Sequence, residues 1–467
     1  MINPIQNPRI AVLGLSLPFY ARALPEYMDT LRRQLDLFVA EVRTRADVVS
    51  TRLCHEREHV VESVASAEAA GVDALLLIPL CYTASLMTLR AVVQTRLPLI
   101  IWNTQEAVEI GDDYDFKALL DNHVTQGTQD VTNTLYRSGR VFGMESGHYR
   151  GAAELDRLDG WLRAARAAQA VQQLRVGLLG TPFQDMGDFG VDTTLMLSQW
   201  GPYVIQLSLA KFHALISKAP AAEIRRMQEA DRERFSIAPD LDAETHCESL
   251  RAEWALRQLV DTERLDAFSM NFLDVIEDGR FSVMPLYAVN KLIADGLGYA
   301  GEGNVSIAAH MAQMRQLCGE ANFTEIYTVD YLHNRMMMTH MQECNCSLAR
   351  RDRKVRLVKK PFWAPGIAPY VGMHFTLEPG PVTLTNLTTD GHGKFYYLAY
   401  ETKIIDRPPY PRYDVPHWVT ELAEPVGDFL TRYSCAGGTH HLISVPGHQA
   451  DTLRKLAHLQ GFGFVRL

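Results

Sequence analysis

Hydrophobic positions in the first 170 residues follow two alternating patterns. Short continuous apolar runs lie at residues 9–15, 72–79 and 97–102. Between them are stretches whose apolar residues recur every three or four positions. The first pattern suits a strand buried on both faces, the second an amphipathic helix. They predict strands over 9–15, 72–79 and 97–102 and helices over 25–40, 56–70 and 152–173, with a further strand, or its approach, over 42–48. Such alternation implies a parallel sheet covered on both faces. A second unit of the same kind opens at 174–180, repeating the strand–glycine opening of 9–14. It continues through a predicted strand at 265–270 and a helix at 287–297. Neither opening carries a full G-x-G-x-x-G, so dinucleotide binding is not indicated.

The character changes after about residue 320. Residues 354–405 alternate in short strand-like runs, with turn signals at 377–381 and 389–393. Runs 383–388 and 394–400 read as a hairpin. A helix over 450–459 and a strand over 463–466 follow. The expected fold class is therefore α/β, with two Rossmann-like parallel-sheet domains, residues 1–172 and 173–320, and an antiparallel β domain over 321–467.

Composition narrows the function. A chain of 467 residues with 47% hydrophobic and 22% charged positions is globular, in two or three domains. A net charge of −9 gives no reason to expect nucleic acid or an anionic membrane as partner. The local run Arg350-Arg351-Asp352-Arg353-Lys354 reads as a solvated turn. Seven scattered cysteines without paired spacing fit a reducing compartment, and Cys344-Asn345-Cys346 reads as buried thiols. The apolar run at 74–80 is far short of the ~20 residues of a membrane span. That at 10–14 is too short for a signal peptide and lacks a basic flank. A cytoplasmic location is expected.

Four segments carry candidate chemistry. Glu302 follows a glycine-rich stretch, Gly298-Tyr299-Ala300-Gly301-Glu302-Gly303, read as a tight turn that can aim a carboxylate into a cleft. Glu325 sits among Phe323, Ile326 and Tyr327; a carboxylate in apolar surroundings has its proton affinity raised unless a cation neutralises it. His340 lies in the methionine-rich run Met336-Met337-Met338-Thr339-His340-Met341, three residues before Glu343. That step puts the pair on one face of a helix or on opposite faces of a strand. Small residues in Gly437-Gly438-Thr439-His440-His441 free one ring to ligate a metal while the other reaches substrate. Singly, each has an ordinary alternative: a capping Glu, a strand-edge Glu, a core histidine, a pair of loop histidines. Together, two carboxylates and two imidazoles suit a divalent ion of intermediate softness, such as Mn²⁺, Co²⁺ or Zn²⁺.

These four segments, in this order, resemble the metal-site motifs of the L-arabinose/L-fucose isomerase family. Ala267-Phe268-Ser269-Met270-Asn271-Phe272 resembles its substrate-facing segment. The resemblance implies that the C-terminal β domain is barrel-like and completes a metal site. It implies Glu302, Glu325, His340 and His441 as ligands of a divalent metal, Mn²⁺ foremost, with Co²⁺, Zn²⁺ or Mg²⁺ as substitutes. Glu302 and Glu325 would also be the catalytic acid/base pair. Ser269, Phe272, Phe323, Glu343, His440 and Met186 would surround the sugar. Gln126 stands where the family has a histidine donated by a neighbouring subunit, with His123 nearby as a substitute. The implied protein is a homo-oligomeric sugar isomerase, a trimer or hexamer, working through an enediol(ate). An epimerase or a non-catalytic sugar-binding protein on the same scaffold is the alternative. Departures fall where substrate is read: Gly14-Leu15-Ser16-Leu17-Pro18-Phe19-Tyr20 replaces the family's Gly-Ser-Gln-His-Leu-Tyr, and Asn304 stands where the family has Asp. A sugar other than L-arabinose is therefore expected.

Overall fold

The computed structural model describes residues 6–467, in two compact units. The first comprises residues 6–169 and 451–462, the second residues 170–450 and 463–467.

In the first unit five parallel strands, β1 (Arg9–Leu15), β2 (Asp47–Cys54), β3 (Ala74–Pro79), β4 (Leu99–Asn103) and β5 (Gly143–Ser146), lie in the order β2-β1-β3-β4-β5. Alternate side chains serve two cores. Ile10, Val12, Leu76, Ile78, Ile100 and Trp102 meet Leu31, Leu35 and Phe38 of helix Tyr27–Val42 and Leu158 and Leu162 of helix Ala152–Ala170. Ala11, Leu13, Leu75, Leu77, Leu99 and Ile101 meet the helices of the opposite face. The strand anticipated at 42–48 is displaced. Its first residue closes helix Tyr27–Val42, and β2 runs from Asp47 to Cys54. An edge strand with half of its residues exposed carries no continuous apolar run, so its register is faint in the sequence.

The second unit opens with β6 (Arg175–Leu179) and β7 (Tyr203–Leu207); the short β8 (Ser236–Ile237) joins another sheet, and β9 (Ala267–Met270) and β10 (Gly298–Gly301) complete the first. The order β10-β9-β6-β7, all parallel, repeats the reversal of the first unit's sheet. The crevice at the carboxyl ends of such strands, where the order reverses, is where open α/β sheets bind ligands. The glycine-rich stretch anticipated as a turn is strand β10 itself. A Cβ on Gly298 would sit 2.5 Å from the Ala308 carbonyl oxygen, so that glycine permits close packing, and the turn comes at Glu302 and Gly303.

The chain then passes through helix Val305–Cys318 into β11 (Asn322–Asp330), β12 (Arg335–Thr339), β13 (Arg356–Lys360), β14 (Tyr370–His374), β15 (Gly380–Thr389), β16 (Phe395–Ile404), β17 (Trp418–Glu421), β18 (His441–Pro446) and β19 (Gly463–Arg466). Six of them pair antiparallel in the order β15-β18-β11-β12-β17-β16, and the β15–β16 hairpin closes the ring. β19 adds to β16 in parallel. The result is the antiparallel barrel expected, whose strands bury Met336, Met338, Leu384, Leu398 and Trp418 among others. Helix Val305–Cys318 packs against β9 and β10 on one side and β15 and β18 on the other. Among the described residues, no helix is long and apolar enough to cross a membrane.

Candidate metal centre

Three adjacent barrel strands and one strand end build the site. In the β11–β18 register Glu325 lies directly opposite His441, and in the β11–β12 register opposite Thr339. Opposite residues on antiparallel strands share a face, so residues 116 positions apart become neighbours. Glu325 Oε1 is 3.0 Å from His441 Nε2 and 3.1 Å from His340 Nε2. Glu302 reaches the same place from the end of β10, its Oε2 3.7 Å from His441 Nε2 and 3.6 Å from His440 Nε2. Its backbone N–H donates to Met270 O at 2.8 Å, and its carbonyl accepts from Phe183 N–H at 3.0 Å. A Cβ on Gly303 would lie 2.6 Å from Pro182 Cα, so only glycine lets the loop after β6 press against this turn.

Neither geometry anticipated for the step from His340 to Glu343 occurs. His340 directly follows β12, Met341 turns the chain with φ 44°, and Glu343 returns beneath the imidazole. Glu343 Oε2 faces His340 Nδ1, and Glu343 Oε1 accepts a hydrogen bond from Tyr299. Tyr299, Glu343 and His340 thus form a buried chain ending at the site. Phe323 is fully buried beneath two of the histidines, its ring 4.5 Å from His340 and 4.9 Å from His441. Phe189 stacks on His441 at 5.3 Å.

The glycines before His440 serve packing rather than flexibility. A Cβ on Gly438 would lie 2.3 Å from the Tyr433 ring. Asn386 then ties the segment down, donating to Thr439 Oγ1 at 2.6 Å and His441 O at 2.7 Å. Asp188 Oδ2 accepts from His440 N–H at 3.0 Å and from its Nδ1 at 2.5 Å, turning Nε2 toward Glu302 and Glu325.

Charge follows the geometry. Burial opposes ionisation of Glu325, yet His340 and His441 hold it well below the usual carboxylate range. Burial opposes protonation of His340 too, but Glu343 and Glu325 raise it well above an ordinary histidine. His440, against burial, is raised to about 9 by Glu302 and Asp188. His441 is lowered, chiefly by burial.

Glu302 Oε2, His440 Nε2 and His441 Nε2 are buried polar atoms without a hydrogen-bond partner among the described residues. The 3.0 Å approach of His441 Nε2 to Glu325 is out of line for a hydrogen bond and is electrostatic. Orphaned atoms of this kind call for an explanation such as an ion. Two triads, Glu302/His440/His441 and Glu325/His340/His441, each keep one donor atom per residue within 4.8 Å of the others. Around an ion with bonds of about 2.1 Å, neighbouring ligands sit ~3 Å apart, as the Glu325 contacts do. The donor set fits a divalent metal.

Of the other residues singled out, Ser269 is fully buried and its hydroxyl donates to Ala300 O at 2.7 Å, tying β9 to β10. Phe272 packs 5.9 Å from Phe183 and 6.2 Å from Trp363. Met186 is exposed on the loop after β6. Gln126 and His123 belong to the first unit, at the start of helix Thr125–Arg137 and just before it. Sequence reasoning passed over Asp188, Phe189 and the role of Tyr299. The only available signal was the turn-like wording of Asp185-Met186-Gly187-Asp188-Phe189-Gly190.

Comparison with known proteins matches residues 192–320 to the L-arabinose isomerase central domain and residues 320–463 to the L-arabinose isomerase C-terminal domain. The chain is 24% identical over 461 residues to an L-arabinose isomerase of Nocardioides sp., covering 94% of this chain and 89% of that one. It is 23% identical over 383 residues to one of Serratia proteamaculans, covering 79% and 75%. Among solved structures, a periplasmic solute-binding protein of Actinobacillus succinogenes with bound D-allose is 14% identical, covering 66% of this chain and 91% of that one. Its TM-score of 0.17 carries no argument.

Proposed function

We propose, from the premise that the chain belongs to the L-arabinose isomerase family, that it is a metal-dependent aldose–ketose isomerase of a pentose, hexose or related sugar. The observation that carries this reading is the convergence of orphaned Glu302 Oε2, His440 Nε2 and His441 Nε2 with Glu325 between two imidazoles. Glu302, Glu325, His340 and His441 would hold the ion, Mn²⁺ first among those that suit the set. When bound, it supplies Lewis-acid polarisation of the sugar's neighbouring oxygens.

The chain's own residues do the rest. Isomerisation moves a proton between adjacent carbons through an enediol(ate), and a positioned carboxylate contributes ~10²–10⁴-fold to such a transfer. Glu302 and Glu325, each with 15% of its side chain exposed, are poised for it. Asp188 orients His440 so that its Nε2 faces the carboxylates. Glu343 and Tyr299 hold His340 from behind.

The altered Gly14-Leu15-Ser16-Leu17-Pro18-Phe19-Tyr20 segment and Gln126 support a sugar other than L-arabinose. A trimer or hexamer, with a neighbouring chain bringing the Gln126 segment to the site, belongs to this reading. Exposed Val108, Ile110, Phe116 and Tyr136 of the first unit support it. Seven free cysteines support a cytoplasmic location. The test is a panel of aldoses incubated with the purified protein with and without Mn²⁺, read by ketose formation, beside the metal content of protein prepared without chelator. Metal-stimulated ketose formation is expected. No bound ion, no response to added Mn²⁺ and no ketose from any aldose would overturn the proposal.

A further inference from the structure

Asn304 begins helix Val305–Cys318 and is fully buried. Its Oδ1 accepts from Ile307 N–H at 3.1 Å and from Ser306 Oγ at 2.9 Å. A backbone N–H can only donate, so Oδ1 must face the helix. The amide NH₂ is thereby aimed at His441 Nδ1, 3.0 Å away. An NH₂ group can only donate, so Nδ1 must accept. A neutral imidazole whose Nδ1 accepts carries its proton on Nε2.

We infer that Asn304 holds His441 with its proton on Nε2, the nitrogen that faces the site, so that metal ligation through His441 requires the Asn304 amide to turn over and uncap helix Val305–Cys318. The inference rests on the reading of His441 as a ligand. In the exchange one proton leaves Nε2 for solvent and one returns to Nδ1, leaving the ring neutral. Nδ1–H then needs an acceptor, which Oδ1 of the turned amide supplies, and Ile307 N–H loses its partner. Ser306 Oγ can accept from the turned NH₂, so the cost falls on the Ile307 bond. Asn304 is a positioning residue that couples the site to the start of the helix. A carboxylate at this position would serve Ile307 N–H with one oxygen and His441 Nδ1–H with the other, with no such exchange.

The test compares wild type with Asn304→Asp, a nearly isosteric change that retains a strong helix cap. Mn²⁺ affinity is measured by calorimetry and amide hydrogen exchange of the peptide containing Ile307 with and without Mn²⁺. Asn304→Asp should bind Mn²⁺ about tenfold more tightly, the size expected for one cap bond and a better-supported imidazole. In wild type, Mn²⁺ should speed exchange at Ile307, whereas in the variant exchange should stay as slow as in the metal-free protein. A merely structural cap would not become less protected on metal binding. Equal affinities with Ile307 protected alike in both proteins would overturn the inference while leaving the metal site intact. Binding to neither protein would overturn the ligand reading, and the inference with it.

Discussion

Replacing Glu343 by Gln separates two roles for this residue: contact with the sugar, and support of His340 from behind. Glu343 is buried, with one oxygen on Tyr299 and the other facing His340 Nδ1. The glutamine fits the same volume. With its carbonyl toward His340 and its NH₂ toward Tyr299, whose hydroxyl can accept, it leaves no donor facing another donor. What disappears is the charge. A hydrogen bond to a charged acceptor contributes about 1.5–3 kcal/mol, against ~1 kcal/mol for a neutral one. The imidazole becomes a weaker base, and loss of such outer-shell partners lowers metal affinity about 10–100-fold, or about 1.4–2.7 kcal/mol at 1.36 kcal/mol per decade. Titration of Mn²⁺ into metal-free protein measures the affinity, and kcat and KM at saturating Mn²⁺ measure the rest. The expected result is weaker Mn²⁺ binding with KM for the sugar little changed. Unchanged Mn²⁺ affinity with a raised KM would refute the supporting role and place Glu343 against the substrate.

Further outcomes follow from the same geometry. Glu302→Gln and Glu325→Gln should each lower ketose formation by at least ~10² with the far-ultraviolet circular dichroism unchanged; an active double variant would remove both from the acid/base role. His310, in helix Val305–Cys318, is fully buried beside Thr385, its Nε2 3.2 Å from Oγ1, and burial presses its pKa down to about 3. The unfolded chain takes up that proton near pH 6.5, so between pH 6.5 and 3 the unfolded state holds more protons and stability falls as pH falls. The loss from pH 6.5 to 5 is on the order of 2 kcal/mol. Urea midpoints should show it for wild type but not for His310→Gln, and an equal slope in the variant would refute the assignment.

The parallel-sheet unit was legible at its buried strands and faint at its edge. Continuous apolar runs marked β1, β3 and β4, because strands covered on both faces have no polar side. β2, half exposed, left no such mark. In the barrel the hairpin of β15 and β16 showed through its turn chemistry around Asp390, which accepts from Lys394 N–H at 3.0 Å. The closure of the ring did not show, since it depends on pairings between distant strands. The ligand-bearing residues were recognisable as chemistry, yet their convergence is a matter of register: Glu325 and His441 meet only because β11 and β18 pair as they do. Asp188 was invisible as a partner of His440, for nothing local links residues on a loop and a strand end 252 positions apart.

Backbone conformation adds an argument for this site that depends on neither ligand chemistry nor family. Among the described residues, five other than glycine have positive φ: Asp185, Arg264, Glu302, Asn334 and Met341. Two have ordinary duties. Arg264 closes helix Ala243–Glu263, and Asn334 lies in the turn between β11 and β12. The other three flank one small volume. Asp185 turns the loop that delivers Asp188, Glu302 is itself a candidate ligand, and Met341 reverses the chain between His340 and Glu343. A side chain in this region costs ~1 kcal/mol or more, and such strain persists where the surroundings over-determine the position and function requires it. At residue 302 glycine would relieve the strain but remove the carboxylate. At residue 341 the reversal returns Glu343 beneath His340. The fold bears these costs where they set the direction of a carboxylate or an imidazole, which is the expected pattern if the volume they surround is where the chemistry occurs.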